Sequence, residues 1–203
     1  MTNAITPPIM NLADMYEKLH NTNADYQQNN QGLACWDAWW LKLQAPGAVV
    51  RGLPLRLPSV IEVGCGNGLL CQELAKRGCQ TTGVDLAVGP YERRDYEFYQ
   101  MNVLDLCQFS RRAFDFSLCF DVLEHLPEEF IGEAIPRIVD VGRRYILSVA
   151  CYGNPPMHLT VKSPGWWLDK MLSLCPSTDW QVLKVWKRNH GGLVALFYGE
   201  KDE

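Results

Sequence analysis

The sequence has no long apolar run, no excess of basic residues and no leader-like start, and each absence excludes a class of protein. No stretch approaches the roughly 20 apolar residues that a membrane-spanning helix needs. The first residues are polar and include Pro7-Pro8, which predicts no secretory signal peptide. The formal net charge is −4, so no overall basic field attracts nucleic acid, although Arg93-Arg94 and the segment from Lys184 to Arg188 are locally basic. We therefore expect a cytoplasmic protein with neither a membrane nor a nucleic-acid partner.

Paired cysteine motifs are also missing, although cysteine itself is plentiful. The eight cysteines never form a C-x-x-C pair, and several fall within apolar strand or helix patterns. This scatter argues against a disulfide framework and predicts small buried side chains in a reducing compartment. Hydrophobic residues make up 47% of the chain, which is enough for one domain with a full core.

The two common phosphate-binding patterns, G-x-G-x-x-G and G-K-[ST], are absent as well. Instead, an apolar strand pattern ends in Glu62-Val63-Gly64-Cys65-Gly66-Asn67-Gly68, and a helical pattern follows. Glycine permits positive φ and lets a ligand lie against bare backbone, and a helix start offers N–H groups. Glu62 would repel a pyrophosphate but would suit a cationic amine. A plain strand–turn–helix connection is the alternative, so the rest of the chain has to decide.

Two later segments add polar residues at the ends of expected strands. Residues 80–85 predict a second strand that ends in Asp85, whose carboxylate can accept both hydroxyl protons of a ribose. A helix cap or a turn aspartate is the alternative role for Asp85. Residues 96–101 predict a third, aromatic strand, which Asn102-Val103-Leu104-Asp105 follows. Asp105 could instead cap a short helix from Leu106 onward.

The order of the remaining patterns predicts an α/β fold. Residues 114–120 form an apolar run typical of a central parallel strand, and residues 144–149 form another. Between them we expect a helix over residues 128–139, its last turn disturbed by Pro136. Ser163 should cap a further helix, and residues 180–187 and 193–198 should form a closing hairpin. Alternating strands and helices predict a doubly wound seven-stranded sheet, mostly parallel, with one antiparallel hairpin strand.

Helical spacing over residues 11–20 and about 33–44 predicts two helices before the sheet. We therefore expect an amino-terminal helical extension over residues 1–50 and a ligand-binding domain over residues 51–203. Ligands of doubly wound sheets bind at the carboxyl ends of the strands, where the strand order reverses.

The pattern E-x-G-C-G-x-G, with Asp85 after it, resembles the first motifs of class I S-adenosylmethionine (SAM)-dependent methyltransferases. The resemblance covers about residues 55–200 and implies a Rossmann-like sheet, SAM as cofactor, and an amino-terminal lid to which Tyr16 or Tyr26 could contribute an aromatic ring. Packing on the domain is the alternative role for that segment. The SAM contacts implied are Glu62, Gly64, Cys65, Gly66, Gly68, Asp85, Leu86, Asn102, Val103, Leu104, Asp105 and the backbone near Cys119.

The segment Asp121-x-x-Glu124-His125, with His158 later, is the candidate acceptor side. V-L-E-H-L-P resembles the corresponding motif of ubiquinone-biosynthesis O-methyltransferases, and we assign His158, His125 and Asp121 as catalytic. The same residues also resemble the metal-dependent methyltransferases of small-RNA 3′ ends, which implies a divalent ion on Asp121, Glu124, His125 and His158. Asp121 stands where that family has glutamate, and no RNA-binding extension is recognisable, so we expect no metal.

The expected function is methyl transfer from SAM to an oxygen or nitrogen of a small-molecule acceptor. Two alternatives stay open: a metal-dependent 2′-O-methyltransferase of RNA 3′ ends, and a non-catalytic SAM-binding partner subunit. The sequence specifies neither the acceptor nor the oligomeric state.

Overall fold

A computed structural model describes residues 57–87, 95–153, 157–188 and 191–201 of the chain. The two helices expected over residues 11–20 and 33–44, and with them Tyr16 and Tyr26, lie outside the described residues. None of the helices in the described ranges has the length and apolar character needed to cross a bilayer.

Seven strands form one sheet in the order β3-β2-β1-β4-β5-β7-β6. Their bounds are Ser59–Val63 for β1, Gln80–Asp85 for β2, Glu97–Gln100 for β3, Phe114–Phe120 for β4, Gly142–Ala150 for β5, Thr178–Lys187 for β6 and Leu193–Lys201 for β7. The first five strands pair in parallel, whereas β7 runs antiparallel to both β5 and β6. The strand order reverses between β1 and β4, which leaves a crevice at their carboxyl ends.

Helices cover both faces of the sheet. They are α1, Leu69–Lys76; α2, Glu128–Val141; and α3, Pro164–Leu174, with 3₁₀ segments at Val103–Gln108 and Leu123–His125. On one face, α2, α3 and the first 3₁₀ segment pack with Ile61 and Val63 of β1. On the other face, Leu70 and Leu74 of α1 cluster with Val60 of β1. Because β1 is buried on both faces, its side chains are apolar except for Ser59 and Glu62.

The predicted sheet is confirmed, with β2 and β4 at the expected bounds. One local expectation, the disturbed last turn of α2, was wrong, and one alternative left open, Asp105 as a helix cap, was not found. Helix α2 continues to Val141, five residues past Pro136, because Ile138, Val139 and Val141 are buried in the core, and their burial outweighs the hydrogen bond that proline removes. The 3₁₀ segment after β3 is capped by Asn102, whose side chain accepts from the Leu104 N–H, and not by Asp105.

Candidate active site at the carboxyl ends of the strands

The glycine turn after β1 is built on left-handed backbone. Gly64, Gly66 and Gly68 have φ values of 74°, 55° and 72°. The N–H groups of Gly64 and Cys65 donate to the carbonyl of Val84 at 2.7 and 3.0 Å, which ties the turn to β2. A side chain at either end would also collide with its surroundings. A Cβ on Gly64 would lie 2.2 Å from Cγ2 of Val122, and one on Gly68 would lie 1.7 Å from the Tyr96 hydroxyl.

Glu62 lies in β1 just before this turn, and its side chain is almost fully buried. Its carboxylate accepts from the Cys71 thiol at 2.9 Å and also from the Cys71 backbone N–H, at the start of α1. It therefore caps a helix whose N-cap residue, Gly68, has no side chain to do so. Burial raises the pKa of Glu62 to about 8, and nearby Asp85 adds to the rise. A cation beside the turn would favour the ionised form.

Asp85 ends β2 and braces the turn from the side. Its carboxylate accepts from the Gly66 N–H at 2.7 Å and from the Ala87 N–H at 2.9 Å. Asp85 therefore does act as a turn aspartate, the alternative role considered for it from the sequence. A carboxylate oxygen can accept more than one hydrogen bond, so a backbone N–H and a ribose hydroxyl can share it. The next residue, Leu86, is fixed by Gln100, which donates to its carbonyl at 3.0 Å.

The predicted adenine-side residues sit on the 3₁₀ segment after β3. Val103 is buried, Leu104 is half-buried against the core and Asp105 is exposed. Met101 donates to the carbonyl of Asp85, so this segment starts beside the end of β2. Asn102, Val103 and Leu104 thus lie at the same sheet edge as the glycine turn.

Strand β4 carries the other wall of the crevice. Cys119 is fully buried and pairs in register with Val63, the residue before Gly64. Asp121 follows with a φ of 54°, an uncommon conformation for a residue other than glycine. Its carboxylate accepts from the Ser148 hydroxyl at 3.0 Å and forms an ion pair with Arg188.

Glu124 is completely buried behind this wall. One carboxylate oxygen accepts from the Ala150 N–H at 3.0 Å, and the other has no partner within the described part of the chain. Burial raises the pKa of Glu124 well above its usual value, and the negative charge of Asp121 raises it further. The main-chain carbonyl of Glu124 accepts from Leu159 and Thr160, which anchors the loop after β5.

His125 and His158 meet beside Glu124, with ring centroids 4.9 Å apart. The Nδ1 of His125 lies 2.9 Å from the carbonyl of Met157, and the Nδ1 of His158 lies 2.6 Å from that of Tyr152. Because a carbonyl oxygen only accepts, each Nδ1 carries a proton, and in the neutral imidazole the free lone pair is then on Nε2. Burial, followed by the neighbouring His158, lowers the pKa of His125 to about 4, so this imidazole is neutral at pH 7.

One possible ligand atom from each of Glu124, His125 and His158 falls within 4.8 Å of the others, which is compact enough for a metal ion. Asp121, the fourth residue of the metal set considered from the sequence, is not part of this group. Its carboxylate is engaged by Arg188 and Ser148.

Sequence reasoning gave no role in the site to Arg188 or Ser148, and it considered Tyr152 only as an aromatic residue that could line a pocket. Arg188 lies 67 residues from Asp121, and its guanidinium also donates to the Tyr152 hydroxyl at 3.1 Å. The topology could have indicated it. Since β7 opposes both β5 and β6, the turn between β6 and β7 lies at the carboxyl edge of the sheet.

Comparisons with known proteins agree with this fold. A methyltransferase-domain family model matches residues 19–137, more than half of the chain. The ubiquinone biosynthesis O-methyltransferase of Hydrogenovibrio crunogenus is 29% identical over 126 residues, covering 52% of each chain. The same-named protein of Acinetobacter baumannii is 28% identical over 160 residues, covering 68% of this chain and 67% of its own. The chain spans about half the length of the first curated relatives it matches.

Solved methyltransferase structures share the architecture at low sequence identity. The 1,6-didemethyltoxoflavin-N1-methyltransferase of Burkholderia thailandensis, solved with S-adenosylhomocysteine, superposes with a TM-score of 0.68 at 17% identity, covering 100% of this chain and 94% of its own. The magnesium protoporphyrin IX methyltransferase of Synechocystis, also with bound S-adenosylhomocysteine, gives 0.66 at 16% identity, covering 94% and 99%. These structural similarities show only the shared fold. The match to the family model is what assigns the chain to a family. The chain belongs to the class I SAM-dependent methyltransferase family.

Proposed function

We propose that this chain transfers the methyl group of SAM to an oxygen of a small-molecule acceptor. The observation that carries the proposal is the contact across the crevice between β1 and β4. Val122 packs on Gly64, so the glycine turn directly adjoins the segment that bears Asp121, Glu124 and His125. A cofactor cradle and a set of proton-accepting groups therefore share one edge of the sheet.

The residues at this edge fit SAM. Its methionine amine is a cation, which suits the buried carboxyl group of Glu62 with its raised pKa. Its ribose suits Asp85, and its sugar and methionine parts can lie against Gly64 and Gly66, where a side chain would be strained. The SAM contacts are Glu62, Gly64, Cys65, Gly66, Gly68, Asp85, Leu86, Asn102, Val103, Leu104 and the backbone of Cys119.

SAM supplies a methyl carbon already activated by its positively charged sulfur, so the protein's main task is to position the acceptor in line. A hydroxyl acceptor must also lose its proton. His158 and His125 are held with Nδ1 protonated, and the neutral form of His158 can take that proton on Nε2. Asp121, fixed at the end of β4, sits beside the pair. The names of the curated relatives favour oxygen over nitrogen as the acceptor atom.

The test is a screen for S-adenosylhomocysteine release over fractions of a metabolite extract, with phenolic and aliphatic alcohols separated. We expect release with at least one hydroxyl-bearing fraction. Release with amines alone would contradict the oxygen assignment. SAM binding without release from any pool would favour a non-catalytic partner subunit instead.

His158→Ala should spare SAM affinity and lower turnover, because the variant removes the proton acceptor and leaves the glycine turn intact. A loss on the order of 100-fold is typical of a missing general base. Asp179→Ala, at the exposed start of β6, serves as the control. Full activity of His158→Ala would remove His158 from the mechanism.

A second candidate, the same transfer assisted by a divalent cation, is favoured by the compact group of Glu124, His125 and His158. Each imidazole donates its Nδ1–H to a backbone carbonyl, as metal-binding histidines commonly do. A cation there would lower the pKa of an acceptor hydroxyl. Under this candidate, EDTA abolishes S-adenosylhomocysteine release and added Mg²⁺ or Mn²⁺ restores it. Release that EDTA leaves unchanged selects the metal-free reaction.

A further inference from the structure

Arg188 stands where three segments of the carboxyl edge converge. It follows directly after β6, and its own turn fixes its backbone. The Arg188 N–H donates to the carbonyl of Gly192 at 2.8 Å, and the Gly191 N–H donates to the carbonyl of Arg188 at 2.8 Å. The start of β7 is tied in turn to the loop after β5, because the Cys151 N–H donates to the carbonyl of Leu193 at 2.7 Å. These backbone hydrogen bonds fix the main chain from which the Arg188 side chain extends.

The Arg188 side chain links this hairpin to the other two segments. It forms an ion pair with Asp121 at the end of β4 and donates to the Tyr152 hydroxyl at 3.1 Å in the loop after β5. The guanidinium carbon also lies 5.7 Å from the centre of the Tyr152 ring. The planar fork of arginine suits this combination, since two of its nitrogens reach different acceptors while its central carbon stays within cation–π range of an aromatic ring.

Tyr152 in turn contacts His158 through both its main chain and its ring. Its main-chain carbonyl accepts the Nδ1–H of His158 at 2.6 Å, and its ring lies 5.0 Å from the imidazole, edge to face. Arg188 thus holds the ring and hydroxyl of the residue whose carbonyl sets the tautomer and orientation of His158. Fixing that tautomer leaves Nε2 as the nitrogen that accepts a proton.

Arg188 also balances charge in the site. Asp121 lies near Glu124, and its negative charge opposes ionisation of that buried carboxyl group. The ion pair with Arg188 offsets this charge and, with the Ser148 hydroxyl, holds the Asp121 carboxylate outside the group formed by Glu124 and the two histidines. Removal of Arg188 would take away one restraint from each of Asp121 and Tyr152.

We propose that Arg188 is a positioning residue of the acceptor site, holding Tyr152 and Asp121 so that His158 presents its unprotonated Nε2 to the acceptor hydroxyl. The proposal rests on the proposed methyl transfer for its catalytic consequence. Its structural content, the orientation and tautomer of His158, is independent of the acceptor.

The first readout is the nitrogen NMR spectrum of His158 in the full-length, ligand-free chain. The wild type should show a single tautomer with the proton on Nδ1. Arg188→Gln should show a mixture of the two tautomers, because Tyr152 loses its side-chain anchor. Tyr152→Phe removes only the hydroxyl contact and should give a smaller change in the same direction. Arg137→Gln removes an exposed ion pair of α2 with Glu133 and should leave the His158 signals unchanged.

The second readout is catalysis with the acceptor that the screen identifies. Arg188→Gln should keep its SAM affinity while kcat falls, on the order of 100-fold, as expected for a misplaced catalytic group. Tyr152→Phe should lose about fivefold, the effect of one hydrogen bond of about 1 kcal/mol. Arg188→Lys should recover part of the loss, since its ammonium can pair with Asp121 but cannot also bind and stack on Tyr152.

The proposal is overturned if Arg188→Gln and Tyr152→Phe both leave the His158 spectrum as in the wild type. If Arg188→Gln does not fold, as judged by circular dichroism, Arg188→Lys and Tyr152→Phe decide by the same spectrum. A wild type that releases no S-adenosylhomocysteine with any acceptor would refute the proposed function, whereas the spectrum would still decide the role of Arg188.

Discussion

Glu62 and Glu124 are two buried carboxyl groups whose pKa values are raised mainly by burial. Their partners differ. Glu62 accepts from the Cys71 thiol under the glycine turn, whereas one oxygen of Glu124 is without a partner among the described residues. A buried acid that holds its proton ionises when a cation arrives beside it. In the proposed binding mode the methionine amine of SAM is that cation at Glu62, so the protonation of this one residue would report on the ligand.

Ionisation of Glu62 should therefore lower the stability of the ligand-free protein as the pH rises. The pKa of its carboxyl group is about 8 in the folded state, against 4.5 as the ordinary value, so the folded state binds the proton more tightly. This contribution is complete below about pH 4.5 and is lost as the pH rises through about 8. Urea midpoints measured from pH 5 to 9 should show a smaller decline for Glu62→Gln than for the wild type.

Taking the difference between the two proteins removes the effects of His125 and Glu124, which both proteins share. Saturating SAM should flatten the wild-type decline and leave the profile of Glu62→Gln unchanged in slope. Equal slopes for the two ligand-free proteins would show that Glu62 does not hold its proton. A wild-type slope insensitive to SAM would show that the amine lies elsewhere.

For individual residues, the sequence indicated which side chains were candidates for the site but not which residues they would contact. Gly64 and Gly66 stood out because few residues suit a left-handed turn, and Asp85 stood out as an acidic residue at the end of an apolar strand. Arg188 did not, since its contact with Asp121 joins segments 67 residues apart and has no local signature. Nor did the sequence show that Glu62 bonds to Cys71, because side-chain direction at the start of a helix depends on packing.

The glycine turn is the element whose geometry the site depends on most. Its left-handed residues let the chain pass from β1 to α1 while staying bonded to Val84 of the neighbouring strand. Val122, from the segment after β4, fills the space beside Gly64. The turn therefore holds together the strands on both sides of β1, and a change in it affects stability and ligand binding together.

Gly64→Ala should destabilise the fold by about 2–5 kcal/mol, combining the cost of a left-handed alanine with that of overpacking. Its Cβ would lie 2.2 Å from Cγ2 of Val122. Gly132→Ala is the matched control in α2, where an added Cβ meets nothing within 4 Å. That variant should gain about 0.5–1 kcal/mol, because alanine suits a helix better than glycine. Urea unfolding measures both changes, and equal stabilities for the two variants would contradict the account of the turn.

The elements themselves were largely predictable, because their signals are local and periodic. Strand β4 appeared as an apolar run, and helix α2 was expected over residues 128–139 after Pro127. The end of α2 was not predictable in this way, because the burial of Ile138 and Val139 overrides the local effect of Pro136. The short connection after β4 was not predicted in detail, although the start of α2 at Glu128 was. It forms a 3₁₀ turn that Pro127 separates from α2.

In the molecule as a whole, the strand order brings the candidate residues together. Strands β1 and β4 are neighbours, but the chain continues from β1 toward β2 on one side and from β4 toward β5 on the other. The glycine turn and the Asp121 segment therefore face each other across the crevice. The loop after β5 and the turn after β6 complete the edge with His158 and Arg188. The alternation of strands and helices predicted this edge, whereas the shape of the acceptor pocket depends on loop packing that local sequence does not encode.

The central claim is that this edge binds SAM, and titration calorimetry of the full-length chain tests it most directly. The wild type should bind SAM and S-adenosylhomocysteine at one site. Asp85→Ala should weaken binding by about 10- to 100-fold, the loss of hydrogen bonds to a charged group. Asp179→Asn, on the exposed part of β6, should bind as the wild type does. A folded wild type that binds no SAM, or an Asp85→Ala variant of unchanged affinity, would contradict the account.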